Sequence, residues 1–326
     1  MMQKLTRRKF VTTSSRMVTT GIIVGRFASG ESAVARPEVA ESRPLGMKLS
    51  LSVRVAETMS SKDKSAMTLA TMIRLAKDNG YQALSMRASQ AGIHTPQDVV
   101  REMSGKIRVA GLQVSMVTGD TAIPRNDQQG PECLRNITPY LDLAETFGAD
   151  LIRVCMKKDR DIRWAQKACD EARERNVRLA HQSHCASLFE TVEGSLSVLK
   201  KVARQNFGII YEPANWMLAG QDYSCPTIRK LEPYLFNVYV QNHHLNPESP
   251  IKAKTWTRGE VGLDPIGLWD KGGVNFREVF TGLQDLHYSG YVTVHQAFAN
   301  VMPIHQAVSR SAEYLKPLLE MAALPQ

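Results

Sequence analysis

Short apolar runs recur along the chain at Met47–Val53, Tyr81–Met86, Leu112–Val117, Ala149–Cys155, Val177–Gln182, Phe207–Tyr211, Phe236–Gln241 and Tyr291–His295. Each is followed by a longer stretch whose apolar residues fall at helical spacing, so the pattern predicts strand then helix, eight times over. Several runs are announced by a residue that tolerates the left-handed backbone ending a helix: Asn79-Gly80, Gly148, Asn176 and Gly290. Eight such units over about 280 residues predict a single-domain α/β fold, a (β/α)8 TIM barrel, whose usual size is around 250 residues. A doubly wound open sheet is the alternative. Its mark, a Gly-x-Gly-x-x-Gly turn after the first strand, is missing.

The spacing is uneven at one place. Between Gln241 and the helix starting near Asn275 lies a long connection containing Trp256, Arg258, Gly259, Glu260, Gly262, Trp269 and Gly272-Gly273. A long strand-to-helix loop on a barrel shapes the active-site face or serves as a contact in a homo-oligomer.

The N-terminus follows a different rule from the rest. Thr6-Arg7-Arg8-Lys9-Phe10-Val11, a weakly apolar stretch and Ala33-Val34-Ala35 read as a twin-arginine signal with cleavage after Ala35. The expected organisation is a signal over 1–35, a linker over 36–46 and the barrel over 47–326, with the chain periplasmic or otherwise exported by the twin-arginine pathway. The apolar stretch Met17–Val24 is interrupted by Thr19, Thr20 and Gly21 and is too short to span a bilayer. Of the formal charge of +9, Lys4, Arg7, Arg8, Lys9, Arg16 and Arg26 against Glu31 supply five, leaving about +4 for the mature chain. Its basic residues are interleaved with acids, as in Lys157-Lys158-Asp159-Arg160-Asp161, which is a solvated face and no nucleic-acid stripe. The five cysteines are odd in number and lack a Cys-x-x-Cys pair, which argues against a zinc knuckle or disulfide framework. Cys185, near the expected site, reads first as a buried structural thiol.

Five segments carry a family resemblance: Asn79 to Arg87, Val177 to His184, Tyr211-Glu212-Pro213-Ala214-Asn215, Val238 to His243, and Gly290 to His295. In order and spacing they resemble the strand ends of the xylose isomerase-like TIM barrels, the sugar phosphate isomerase/epimerase group that also includes endonuclease IV. The resemblance covers nearly the whole mature chain. It implies a divalent metal (Zn, Mn, Co or Mg) held at the C-terminal face by Glu, Asp, His and Glu, with the glutamates moving protons between sugar carbons. Those four positions are occupied here by Gln182, Glu212, Gln241 and His295. A glutamine offers a cation only a neutral amide oxygen and cannot abstract a proton. A weak site, a softer metal helped by His184 or His243, and no metal at all therefore stand side by side. A one-residue register shift would exchange Gln182 for His181.

Five of the eight histidines, His181, His184, His243, His244 and His295, flank these strand ends. Without a metal, His295 serves as general acid or base with Glu212 as orienter or counterpart. Arg87 and Arg153 suit a carboxylate, phosphate or sugar hydroxyl, or else a rim salt bridge. His184, Asn215, His243 and Gln296 complete the expected substrate contacts. Trp216, Trp256 and Trp269 suit stacking against a sugar, and Trp216 equally suits packing between loop and barrel. The expected function is an exported isomerase or epimerase of a small carbohydrate. The alternatives are a keto-sugar lyase or hydrolase and a non-catalytic carbohydrate-binding barrel. A nuclease is disfavoured, since the clustered carboxylates and basic groove of that chemistry are missing.

Overall fold

The computed structural model describes residues 46–299 and 301–320. The expected signal and nearly all of the linker lie outside the described residues. Among those described, no helix is long and apolar enough to cross a membrane.

Eight parallel strands close into a barrel: β1 (Lys48–Ser52), β2 (Ala83–Arg87), β3 (Gln113–Thr118), β4 (Leu151–Val154), β5 (Arg178–Gln182), β6 (Phe207–Tyr211), β7 (Leu235–Val240) and β11 (Tyr291–Val294). The order is β1-β11-β7-β6-β5-β4-β3-β2, so consecutive βα units are neighbours throughout. All eight expected runs are barrel strands, and the fold is a (β/α)8 barrel. The outer helices are α1 (Leu69–Asp78), α2 (Gln97–Val109), α5 (Thr138–Phe147), α6 (Asp161–Glu174), α7 (Val192–Val202), α9 (Cys225–Leu231), α10 (Phe276–Asp285) and α11 (Ile304–Glu320), with short helices α3 (Ala122–Arg125), α4 (Glu132–Arg135) and α8 (Pro213–Leu218) in the connections.

Strand alternation divides each run between two cores. Ile152, Leu179, Ile209, Val238 and Val292 face outward into the large core shared with the helices. Met116, Leu151, Ala180, Ile210 and Tyr239 face inward and form a separate layer that fills the lumen. One step further along β4, β5, β6, β7 and β11 the inward positions are Arg153, Gln182, Glu212, Gln241 and His295. This parity settles the register at β5: Gln182 follows Ala180 into the barrel, while His181 stacks on Phe189 outside it, centroids 4.2 Å apart.

Gly148 ends α5 at φ 69° with open space where a Cβ would stand, so its backbone conformation alone selects glycine. Asn176 and Gly80 occupy the same left-handed region as expected. The stop before β11 differs. There α10 ends at Asp285, and the left-handed residue is His287, φ 51°. Gly290 is instead required by crowding, because a Cβ there would sit 2.3 Å from the Tyr288 hydroxyl.

The long connection after β7 is folded rather than irregular. Strands β8 (His243–Leu245), β9 (Lys252–Thr255) and β10 (Gly259–Pro265) make an antiparallel sheet in the order β8-β10-β9. Its apolar face, with Val261 and Leu263, packs on Cys185 and Leu218 at the barrel mouth. All five cysteines are free, and burial pushes the Cys185 thiol up to about 12, in keeping with a structural role.

Candidate active site

A cavity of about 600 Å³ opens at the C-terminal ends of the strands, beneath the β8–β10 arm. A larger hollow of about 910 Å³ lies at the opposite end, around Lys48, Gln113, Arg178 and Tyr291. That N-terminal end is where a barrel invests in stability, whereas the C-terminal loops carry chemistry. The smaller cavity also gathers the polar groups. Gln182, Gln241, His184, His243, His295, Asn215, Arg87 and Arg153 all line it.

Glu212 lies directly behind Gln182 and Gln241 and is fully buried. The Gln182 amide nitrogen donates to Glu212 Oε2, while Glu212 Oε1 and Gln182 Oε1 have no hydrogen-bond partner. Burial raises the Glu212 carboxyl to about 8, against the opposing pull of Arg153, Arg54 and the nearby Gln241 side chain. Ser183 fixes the backbone at this point, since its hydroxyl accepts from the Glu212 amide at 2.7 Å.

His295 stacks flat on Tyr239, centroids 3.7 Å apart, with Nδ1 3.1 Å from Ser52 Oγ. Glu212 is thus not its orienter; Tyr239 and Ser52 are. Burial, then Arg87, Arg153, Arg54 and Lys62, holds His295 well below its ordinary value, so the ring is neutral near pH 7. His184 is likewise depressed by burial and Arg153, and its Nδ1–H donates to the Cys185 carbonyl at 2.8 Å, leaving Nε2 as an acceptor. Burial pushes His243 down to about 4. His181 faces away from the lumen, and His244 is exposed with Nδ1 3.2 Å from the Gly272 carbonyl. Three of the five clustered histidines therefore reach the cavity.

The two expected arginines differ. Arg87 makes a two-pronged ion pair with Glu57, Nε–Oε1 and Nη2–Oε2 both 2.8 Å, and Arg54 shares the same carboxylate at 3.1 Å. Although burial pushes Glu57 up, Arg87 and Arg54 outweigh it and hold the group below its ordinary value. Arg153 is only 3% exposed and has no ion pair or hydrogen bond among the described residues. Arg54, Glu57, Lys62 and Lys157 were not legible as site residues from pattern alone. Glu57 and Arg54 do follow the first strand, and applying the strand-end rule to β1 would have found them. Glu190 carried no signal: this buried carboxylate accepts from the Trp256 and Thr257 amides, at 2.9 and 2.7 Å, and ties the tip of the arm to the loop after β5.

Two expected contacts are corrected. Trp216 is fully buried, its indole N–H donating to the Phe189 carbonyl at 3.2 Å, because α8 turns that side chain into the outer core. Gln296 spends both ends of its amide on backbone, accepting from the Asn242 N–H and donating to the Ile266 carbonyl. Trp269 lies under the Arg310 guanidinium, 3.9 Å from the ring centroid. Of the tryptophans considered for stacking only Trp256, 55% exposed, lines the cavity.

The fold brings Gln182, Glu212, Gln241 and His295 together, but the donor set does not fit a divalent cation. It holds one carboxyl, which burial keeps largely protonated at neutral pH, two neutral amides and one imidazole, with Arg153, Arg87 and Arg54 acting on them electrostatically. Among the described residues no group of three or more His, Cys, Asp or Glu is placed to hold a metal. Hard cations select clustered carboxylate oxygens, and a converging positive field opposes them.

Residues 73–318 match a protein-family model described as xylose isomerase-like TIM barrel. The fold is similar to that of a probable 3-DHS dehydratase, AsbF, of Bacillus anthracis, involved in petrobactin synthesis: TM-score 0.62, 15% identity, covering 82% of this chain and 98% of that one. It is similar also to D-allulose 3-epimerase from Methylomonas sp. in complex with D-allulose, TM-score 0.60, 14% identity, covering 84% and 98%. A xylose isomerase-like TIM barrel protein from Mycobacterium smegmatis in complex with magnesium gives TM-score 0.62 at 15% identity, covering 85% and 98%. Comparison with curated proteins finds no match.

Proposed function

The chain belongs to the xylose isomerase-like TIM barrel family, and from that premise we propose that it is an enzyme that moves a proton on a small sugar-derived substrate, an isomerase or epimerase working without a metal. The carrying observation is the pairing of a buried glutamate raised to about 8 with an imidazole held neutral at the same strand-end layer. Environments that push two titratable groups apart assign their roles. Glu212 is the proton carrier, poised near the working pH as an efficient base must be. His295, uncharged and fixed by Tyr239 and Ser52, polarises the substrate carbonyl by hydrogen bonding. Glu212 removes the proton from the carbon beside that carbonyl, giving an enediolate whose oxyanion is held by the His295 hydrogen bond. Transfer of the remaining hydroxyl proton to the oxyanion, with return of the carbon-bound proton from Glu212 to the former carbonyl carbon, yields the isomer. Delivery of a solvent proton to the opposite face of the original carbon, with Glu212 giving its own proton back to solvent, yields an epimer. The unpartnered Oε1 of Gln182 suits a substrate hydroxyl, and Trp256 offers an indole face to a sugar ring. Similarity to an epimerase seen with D-allulose supports the sugar class. Export belongs to the same reading, supported by Arg7-Arg8 and Ala33-Val34-Ala35.

The test is solvent exchange. In D2O, a panel of aldoses, ketoses and sugar acids is followed by NMR for loss of a C–H proton beside the carbonyl. Exchange that vanishes in Glu212→Gln is expected. Exchange unaffected by that substitution would sink the assignment.

A further inference from the structure

The cavity wall carries eight lysines and arginines and no aspartate or glutamate. Only part of that charge is answered from behind. Glu57 is shared by Arg87 and Arg54, and Arg87 Nη1 remains without a partner. Lys62 is held only by the Pro124 carbonyl, 2.8 Å away, and Lys157 by the carbonyls of Asn126 and Ala186. Arg153 is nearly inaccessible to solvent and makes no ion pair among the described residues, and Glu212, the carboxyl that acts on it electrostatically, is kept largely protonated at neutral pH by burial. Carbonyl dipoles position an ammonium group but leave its charge in place. A buried guanidinium without a counter-ion is costly, and a site that retains one has an incoming anion to meet it.

We propose that the cavity takes a substrate bearing a carboxylate, a sugar acid or keto acid, anchored on Arg153 with Lys62 and Lys157 alongside. The inference rests on the proposed role of this cavity and narrows its substrate class. A planar guanidinium matches the two oxygens of a carboxylate in a two-pronged contact. The unpartnered Oε1 of Gln182 and the bare Nε2 of His184 then face hydroxyl donors elsewhere on the substrate, where a second anionic group would be repelled. Burial lowers Lys62 to about 7, assisted by Arg54, Arg87 and Arg153, so an arriving anion also restores the charge of its partner.

Calorimetric titration of the full chain with D-glucuronate, D-glucose and D-glucose 6-phosphate tests this. D-glucuronate is expected to bind at least tenfold tighter than D-glucose. Arg153→Met is expected to abolish the difference and to raise the melting temperature, since it removes an unanswered buried charge. Lys157→Gln, at a more accessible position, is expected to weaken D-glucuronate binding several-fold with the fold intact. Equal binding of the charged and neutral sugars, a preference that survives Arg153→Met, or failure of all three to bind overturns the proposal. Tighter, Arg153-dependent binding of D-glucose 6-phosphate overturns the carboxylate assignment in favour of phosphate. The readout needs no turnover: D-glucuronate binding without C–H exchange on any substrate sinks the proton-transfer reading and leaves this one standing.

Discussion

At the scale of single residues, Glu212 and Glu57 are two buried carboxyls driven in opposite directions. Glu212 has the Gln182 amide as its donor and no ion pair, so burial wins; Glu57 has two guanidinium groups, so pairing wins. If Glu212 is the base, kcat/KM rises with pH and levels off above about 8, and Glu212→Gln lowers it by about 10²–10⁴-fold, the usual contribution of a positioned base. The same shift acts on stability with a definite sign. The folded state keeps the Glu212 proton between about 4.5 and about 8 while the unfolded chain has lost it, so this group's contribution to stability declines as pH rises through that window. At pH 9 the penalty is on the order of 5 kcal/mol, taking about 1.4 kcal/mol per pKa unit. Urea unfolding should therefore find Glu212→Gln more stable than the wild type at pH 9 and nearly equal to it at pH 4. Removing Glu57 does the reverse: Glu57→Gln strands two buried guanidinium groups, with an expected loss of about 3–5 kcal/mol by the same measurement. Gln182 against His181 hung on the register, which the closed barrel fixes, because one residue along a strand changes faces. The direction of Trp216 was not legible in the sequence either, since a side chain on a six-residue helix takes its direction from how that helix seats.

At the scale of elements, the β8–β10 arm decides what the cavity is. Its tip is fastened through Glu190 to the Trp256 and Thr257 amides, and through the Thr257 hydroxyl to the Ala219 carbonyl at 2.9 Å. Glu190→Ala is expected to speed amide hydrogen exchange at Trp256 and Thr257 and to raise KM several-fold with little change in kcat, as the arm supplies one wall and no proton. Unchanged exchange at those amides would mean that the apolar seam under Val261 and Leu263 holds the arm by itself. The arm was visible in the sequence only as an excess of length. Its strands are short and polar on one face, and Pro247 and Pro250 separate β8 from β9, so they lack the periodicity that announces the barrel strands. Helix stops before β2, β4 and β5 were legible because glycine and asparagine have a conformational reason to be there. The stop before β11 was not, because a histidine fills the left-handed position that Gly290 suggested.

At the scale of the whole molecule, the closed sheet collects side chains from every strand at one mouth, and the sum of their charges matters more than any one of them. With a positive field and one largely protonated carboxyl at neutral pH, activity is expected to survive dialysis against EDTA unchanged, and purified protein to carry less than one divalent metal per chain by plasma mass spectrometry. Stoichiometric metal lost on replacing Glu212 would reverse that conclusion. The linear chain by itself determined the eight strands and the strand-end segments that hold Gln182, Glu212, Gln241 and His295, because periodicity and helix-stopping residues are local properties. Only the tertiary structure decided that Arg87 is spent on Glu57 while Arg153 is not, that Trp216 and Gln296 serve the scaffold, and that Lys62 and Lys157 turn to the same cavity. Those outcomes depend on distances between residues tens of positions apart and on the burial that sets the strength of each charge, and both come into being only when the barrel closes.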